Sequence, residues 1–172
     1  AAQRALTSLG VQSVYPTLES GFLQHTAADL KLILEAILEP ANDQAIKAAL
    51  ATRLMQTTAA DIDRLNHDIQ AQQAVLAEFS SYREMWLEQN VAPMLNTLME
   101  RRQLAQRWLQ LPNGERQITN LRHLIEILQK KSGSIKGMYQ LIKWFSHEQG
   151  DAATVSTEDR QLRLESDENL VK

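Results

Sequence analysis

The chain has 172 residues, a mass of 19.5 kDa, and 18 Lys+Arg against 21 Asp+Glu, for a formal net charge of −3. That length suits one domain, or one and a fraction, and is enough to bury a real core. Cysteine is absent, which excludes disulfides, thiolate nucleophiles, Cys-ligated zinc and iron–sulfur clusters. The 44% hydrophobic and 23% charged residues are ordinary for a globular protein and argue against wholesale disorder. Six Gly, four Pro and 5% aromatic residues are too few for a turn-rich all-β chain and favour helices. No apolar run approaches the ~18–20 residues of a membrane span, and the first residues do not read as a signal peptide.

In chain order, residues 2–9 predict a short helix stopped by Gly10. Val11-Gln-Ser-Val-Tyr15 alternates and predicts a strand closed by Pro16. From Thr26 to Gln149 the pattern is helical. Thr26-Ala-Ala-Asp29 has the form of a capping box. Leu30, Ile33, Leu34, Ile37 and Leu38 follow as one apolar stripe, ended by Pro40. Asn42 and Asp43 cap a second helix carrying Ile46, Ala49, Leu50 and Leu54. Thr58-Ala-Ala-Asp61 repeats the capping signature and opens a long helical stretch to about Gln89, with a break expected near Ser80-Ser81. Phe79, Tyr82 and Trp86, at i, i+3 and i+7, form its core face. Further helices are expected over about 92–110, 118–131 and 136–148, the last with a core stripe of Met138, Leu141, Ile142 and Phe145. Residues 151–160 read as a polar loop and 161–165 as a second strand. A strand cannot pair with itself, so both ends read as edges of an incomplete α/β layer around a helical lobe.

Motifs for catalysis are missing. There is no G-x-x-x-x-G-K-[ST] or G-x-G-x-x-G, and Gly133-Ser-Ile-Lys136-Gly137 has the wrong spacing for a phosphate loop. His67, four residues after Asp63 and next to Asp68, suggests a metal or acid–base pair on one helix face. No spacing of His25, His123 or His147 completes such a site, so a surface Asp–His pair is the better reading. Ser80 and Ser81 have no nucleophile context.

Charge is segregated. Residues 91–149 hold nine Lys/Arg and four Asp/Glu, net +5, and the remainder is net −8. Such asymmetry marks either a side facing a polyanion or ordinary solvated helix faces. The candidate contacts to DNA or to a partner are Arg101, Arg102, Arg116, Arg122, Lys130, Lys131, Lys136 and Lys143. Their chemistry suits phosphates rather than base edges. One of Arg101 and Arg102 borders the buried face and has to snorkel, pair with an acid or meet a partner. Trp108, Tyr139, Trp144 and Phe145 lie nearby and in principle stack bases.

Several segments together resemble the RecB family of bacterial helicase–nuclease subunits, within the superfamily-1 (UvrD-like) helicases and exodeoxyribonuclease V. They are Gly10-Val-Gln-Ser-Val-Tyr15 with Glu19-Ser-Gly-Phe22, Leu50-Ala-Thr-Arg-Leu54, and Phe79-Ser-Ser-Tyr-Arg83 with Trp86. Asn113-Gly-Glu-Arg-Gln-Ile-Thr-Asn120 with His123-Leu124, Leu141-Ile-Lys-Trp144, and Leu162-Arg-Leu-Glu-Ser-Asp167 with Leu170-Val171 follow in the family's order. Pro16-Thr17 departs from the family's usual Leu-Ser. The resemblance implies a mainly α fold: a multi-helix, 2B-like lobe over 26–150, inserted into a 2A-like motor domain whose edges lie at 1–25 and 151–172. It implies a piece whose next residues would be the family's T-I-H-x-x-K-G-L-E motif. The parent would be a cytoplasmic bacterial enzyme that binds ATP and Mg, unwinds and degrades DNA, and works with RecC-like and RecD-like subunits. No catalytic, cofactor or metal residue would fall in this stretch. The alternatives are an autonomous helical adaptor for protein partners, and a free-standing enzyme built around His67.

Overall fold

The computed structural model describes residues 20–150, with side chains from Leu23 onward. All regular structure among the described residues is helical. The elements are α1 (Ser20–Leu38), α2 (Asp43–Leu50), α3 (Ala59–Arg64), α4 (Ile69–Gln89), α5 (Val91–Arg101), α6 (Leu104–Trp108), α7 (Gly114–Ser132) and α8 (138–150). The mainly α expectation is met. The helix expected at 2–9, the strands at 11–15 and 161–165, and the loop at 151–160 lie outside the described residues.

Helix α1 is the centre of the bundle. Leu23, Ala27, Leu30, Ile33, Leu34, Ala36 and Ile37 are all buried, a width of apolar surface that one neighbour cannot cover. Accordingly α1 packs against α2, α4 and α7, and α4, α5, α6 and α7 pack on one another in turn. Each fully buried Leu or Ile contributes about 1.5–3 kcal/mol by leaving water. The expected stripe at Phe79, Tyr82 and Trp86 is buried, Phe79 and Tyr82 meeting edge to face at 5.9 Å between ring centroids. Leu141, Ile142 and Phe145 of α8 are buried as expected, with Met138 partly so.

Several helix boundaries differ from the sequence reading. Helix α1 runs through Thr26 without a start there. Thr26 is buried, and its hydroxyl accepts from Gln117 Nε2 of α7 at 2.8 Å instead of capping. The second signature does cap: Thr58 accepts from the Asp61 amide at 3.1 Å and donates to the Asp61 carboxylate at 2.7 Å. That helix stops at Arg64, and the chain restarts at Ile69 under a new cap, Asp68, which accepts from the Ala71 amide. The break therefore falls at 65–68, not at Ser80-Ser81, which lie inside α4. The expected helix over 92–110 divides at Gln103, whose φ of 52° is left-handed and turns the chain into α6.

Polar side chains fix the packing. Arg83 Nε of α4 donates to the Leu38 carbonyl at 3.1 Å, closing the C-terminal end of α1 where no basic residue of its own is present. Gln149 Nε2 of α8 donates to the Ala27 carbonyl at 3.0 Å. The irregular segment 51–58 is pinned from two helices. Asp29 of α1 accepts from the Leu54 amide at 3.2 Å, Trp108 Nε1 of α6 donates to the Leu54 carbonyl at 3.1 Å, and Arg107 donates to the Met55 and Gln56 carbonyls.

Between α4 and α5, Glu78 receives Arg102 twice, Nε at 2.8 Å and Nη2 at 2.7 Å, and also the Tyr82 hydroxyl at 2.7 Å. The two ionic side chains are only 21% and 23% exposed. Burial, and then the hydrogen bond to Glu78 and its charge, push the Tyr82 hydroxyl well above its usual range. Burial opposes the charge on Arg102, but the Glu78 carboxylate outweighs it and holds the guanidinium protonated. A planar fork on a carboxylate is geometry that an ammonium does not reproduce.

Arg102→Ala leaves Glu78 half-buried without its cation and is expected to lower unfolding free energy by about 1–3 kcal/mol, with Arg102→Lys recovering less than half of it, as measured by urea denaturation. Gly114 offers a separate test. A Cβ there would lie 1.6 Å from the Trp108 carbonyl oxygen, so Gly114→Ala must push α6 away from α7. It should cost about 2 kcal/mol or more by the same measurement.

Asp29 carries a pH prediction. Burial raises its carboxyl pKa, against the opposing Leu54 and Arg53 amides. Its contribution is therefore favourable below the unfolded value of about 4 and is lost as pH rises through the folded value. Asp29→Asn keeps an acceptor for the Leu54 amide without the buried charge. Its melting temperature should exceed the parent's at about pH 7, with the gap closing as pH falls toward about 4. Asp29→Ala, which orphans that amide, should melt below both at either pH.

Candidate nucleic-acid interface

The eight basic candidates divide by environment. Arg102 is bound to Glu78. Arg101 is exposed, but its Nη1 donates to Ser81 Oγ at 2.8 Å and its guanidinium lies 5.5 Å from the Tyr82 ring centroid. Arg107, absent from the candidates, is held on the 51–58 segment. This arginine group thus fastens α4 to α5 and α6 to the 51–58 segment.

Further along, the environment changes. Arg116 and Arg122 are exposed on α7, and Arg122 shares its face with Glu126 at i+4. Lys130 is exposed and Lys131 half-buried in the last turn of α7, where positive charge complements the carbonyl end of the helix. Lys131 Nζ sits 5.2 Å from the Trp144 ring centroid and so links α7 to α8 through a cation–π contact. Lys136, in the connection between the two helices, and Lys143, on α8, are exposed. Lys130, Lys136 and Lys143 enter no ion pair among the described residues, whereas Lys31 and Lys47 pair with Glu35 and Asp43.

A sequence signal finer than the net charge of 91–149 marks this region. From residue 127 to residue 147 there is no Asp or Glu, while Lys130, Lys131, Lys136 and Lys143 all fall in that window. The structure makes the window the end of α7, a short connection and most of α8. Positive charge therefore outweighs negative along this hairpin, where the bracketing acids are Glu126, four residues before Lys130 on α7, and Glu148 near the end of α8.

The alternative site does not assemble. Asp63 lies in α3 and His67 beyond its end, so they do not share a helix face; Asp63 instead accepts from Asn66 Nδ2. His67 is exposed, and no group of three or more His, Asp or Glu among the described residues could hold a metal ion. A small cavity between Leu30, Ile33, Leu54, Leu98, Leu121 and Ile125 is wholly apolar and offers no group to orient a ligand. No helix among the described residues is long and apolar enough to cross a membrane.

No protein-family model matches the chain. Individual proteins do. It is 35% identical to the RecBCD enzyme subunit RecB of Escherichia coli (strain K12) over 169 residues, 98% of this chain and 14% of that protein. It is 32% identical to the same subunit of Haemophilus influenzae over 97% of this chain and 14% of that protein. RecB of Buchnera aphidicola subsp. Baizongia pistaciae is 27% identical over 83% of this chain and 12% of that protein. The chain therefore spans 12–14% of the length of these relatives. With a continuous match along nearly its whole length, the chain belongs to the RecB family.

Proposed function

We propose that this chain is a non-catalytic helical subdomain of a RecB-like, ATP-dependent DNA helicase and exonuclease acting in double-strand break repair and homologous recombination. In this reading residues 26–150 form a 2B-like lobe, and residues 1–25 and 151–172 belong to the edges of the adjoining 2A-like motor domain. ATP and Mg are handled by parts of the parent protein outside this chain. The lobe contributes to the DNA path and to contacts with RecC-like and RecD-like subunits in the bacterial cytoplasm.

The observation that carries the DNA contact is the acid-free hairpin with Lys130, Lys136 and Lys143 exposed. Unpaired lysines on a rigid helical frame attract phosphates without reading sequence, through release of condensed counterions. Arg101 and Arg102, held on Ser81, Tyr82 and Glu78, contribute chiefly to the frame in this reading. Subunit contacts are assigned to α4, where Ile69 (69% exposed) and Leu87 (61% exposed) leave apolar surface in water. The autonomous-adaptor reading draws on that same surface. It has no use for a lysine edge free of acids.

The test is fluorescence anisotropy with labelled DNA over a series of salt concentrations. The triple substitution of Lys130, Lys136 and Lys143 to Ala should weaken binding and reduce the slope of log K against log salt by roughly 2–3, about 0.7–0.9 for each phosphate no longer neutralised. Arg102→Ala, compared under conditions where it remains folded, should leave that slope unchanged. Unaltered binding by the triple variant overturns the DNA contact and favours the adaptor reading.

A further inference from the structure

The exposed aromatic of the basic hairpin narrows the kind of nucleic acid it fits. The aromatic side chains among the described residues fall into distinct environments. Phe79, Tyr82, Trp86 and Phe145 are buried. Trp108 is half-buried with its Nε1 on the Leu54 carbonyl, and Trp144 is half-buried beneath Lys131. Tyr139, at 60% exposed, is the one aromatic among the described side chains that stands in solvent. It lies inside the acid-free window. Lys143 is four residues on, hence on the same face of α8, and Lys136 precedes it at the entry to the helix.

We propose that Tyr139, flanked by Lys136 and Lys143, is a stacking platform for an unpaired base, so that this hairpin takes single-stranded DNA in preference to duplex. The inference rests on the DNA-facing reading above and goes beyond it. Phosphate attraction alone does not distinguish one strand from two. An aromatic face does, because bases in a duplex are already stacked on their neighbours and unavailable to it. A π-face beside a cationic track is the combination that holds single strands with little sequence preference. Lysines placed on both sides of the ring along the chain are positioned to hold the phosphates of the nucleotide whose base stacks and of its neighbour. A phenyl ring suffices for this contact, and the hydroxyl is not required.

The experiment measures anisotropy of labelled oligothymidylate, and of a blunt duplex of matched length, with the full chain and three variants. Tyr139→Ala is expected to weaken single-strand binding by about fivefold to a hundredfold, the effect of removing one base stack, with duplex binding changed less than about twofold. Tyr139→Phe, which keeps the ring, should bind the single strand as the parent does. The exposure of Tyr139 makes both variants compatible with folding, checked by circular dichroism. If Tyr139→Ala leaves single-strand binding intact while the triple substitution of Lys130, Lys136 and Lys143 to Ala abolishes it, the platform is wrong and the phosphate contact survives. Equal losses on both DNAs, or failure of Tyr139→Phe to restore binding, also overturn the platform. If neither the tyrosine nor the lysines matter, both readings fall.

Discussion

Helix α1 has more apolar surface than any single partner covers, and the rest of the bundle follows from that constraint. Burying Leu23 through Ile37 requires neighbours on several sides, supplied by α2, α4, α7 and α8. Apolar packing alone is weakly directional, and a helix buried this deeply could rotate or slide. Polar contacts remove that freedom. Thr26 is tied to Gln117, Asp29 to the Leu54 amide, the Ala27 carbonyl to Gln149 and the Leu38 carbonyl to Arg83. The Leu54 amide and the terminal Leu38 carbonyl gain their acceptor and donor only through these contacts, so an error in register would carry a penalty at more than one place.

The same framework decides which charges remain free to meet something else. Arg83 and Arg102 each complete an interhelical contact and Arg107 ties α6 to the irregular 51–58 segment, two of the three on backbone carbonyls and one on a carboxylate. A guanidinium suits this work because it donates in several directions at once. Lys130, Lys136 and Lys143 of the α7–α8 hairpin, by contrast, enter no ion pair among the described residues. Packing of Leu141, Ile142 and Phe145 into the core leaves Tyr139 and Lys143 of α8 on the outer side.

Much of the bundle was legible in the sequence. Stripes at Leu30–Leu38, at Phe79–Trp86 and at Leu141–Phe145 are long and periodic, and each is buried. Boundaries were less legible, for local reasons. The Thr-x-x-Asp pattern occurs twice, at Thr26 and Thr58, and the two are indistinguishable without knowing that Gln117, distant in sequence, meets the first. The break at 65–68 depends on Asp68, which read as half of a His–Asp pair rather than as a cap. The candidate site was legible in composition and not in allocation. That Arg101 or Arg102 had to snorkel, pair with an acid or meet a partner followed from their place beside the apolar stripe. That the acid is Glu78, in another helix, did not.

The central claim is that the lysines of the α7–α8 hairpin, and not the paired ones, face DNA. Lysine-reactive footprinting with mass spectrometry, with and without DNA, tests it within one molecule. The account predicts that DNA shields Lys130, Lys136 and Lys143 while Lys31 and Lys47 stay equally reactive. Shielding confined to Lys31 and Lys47, or none anywhere, would contradict it.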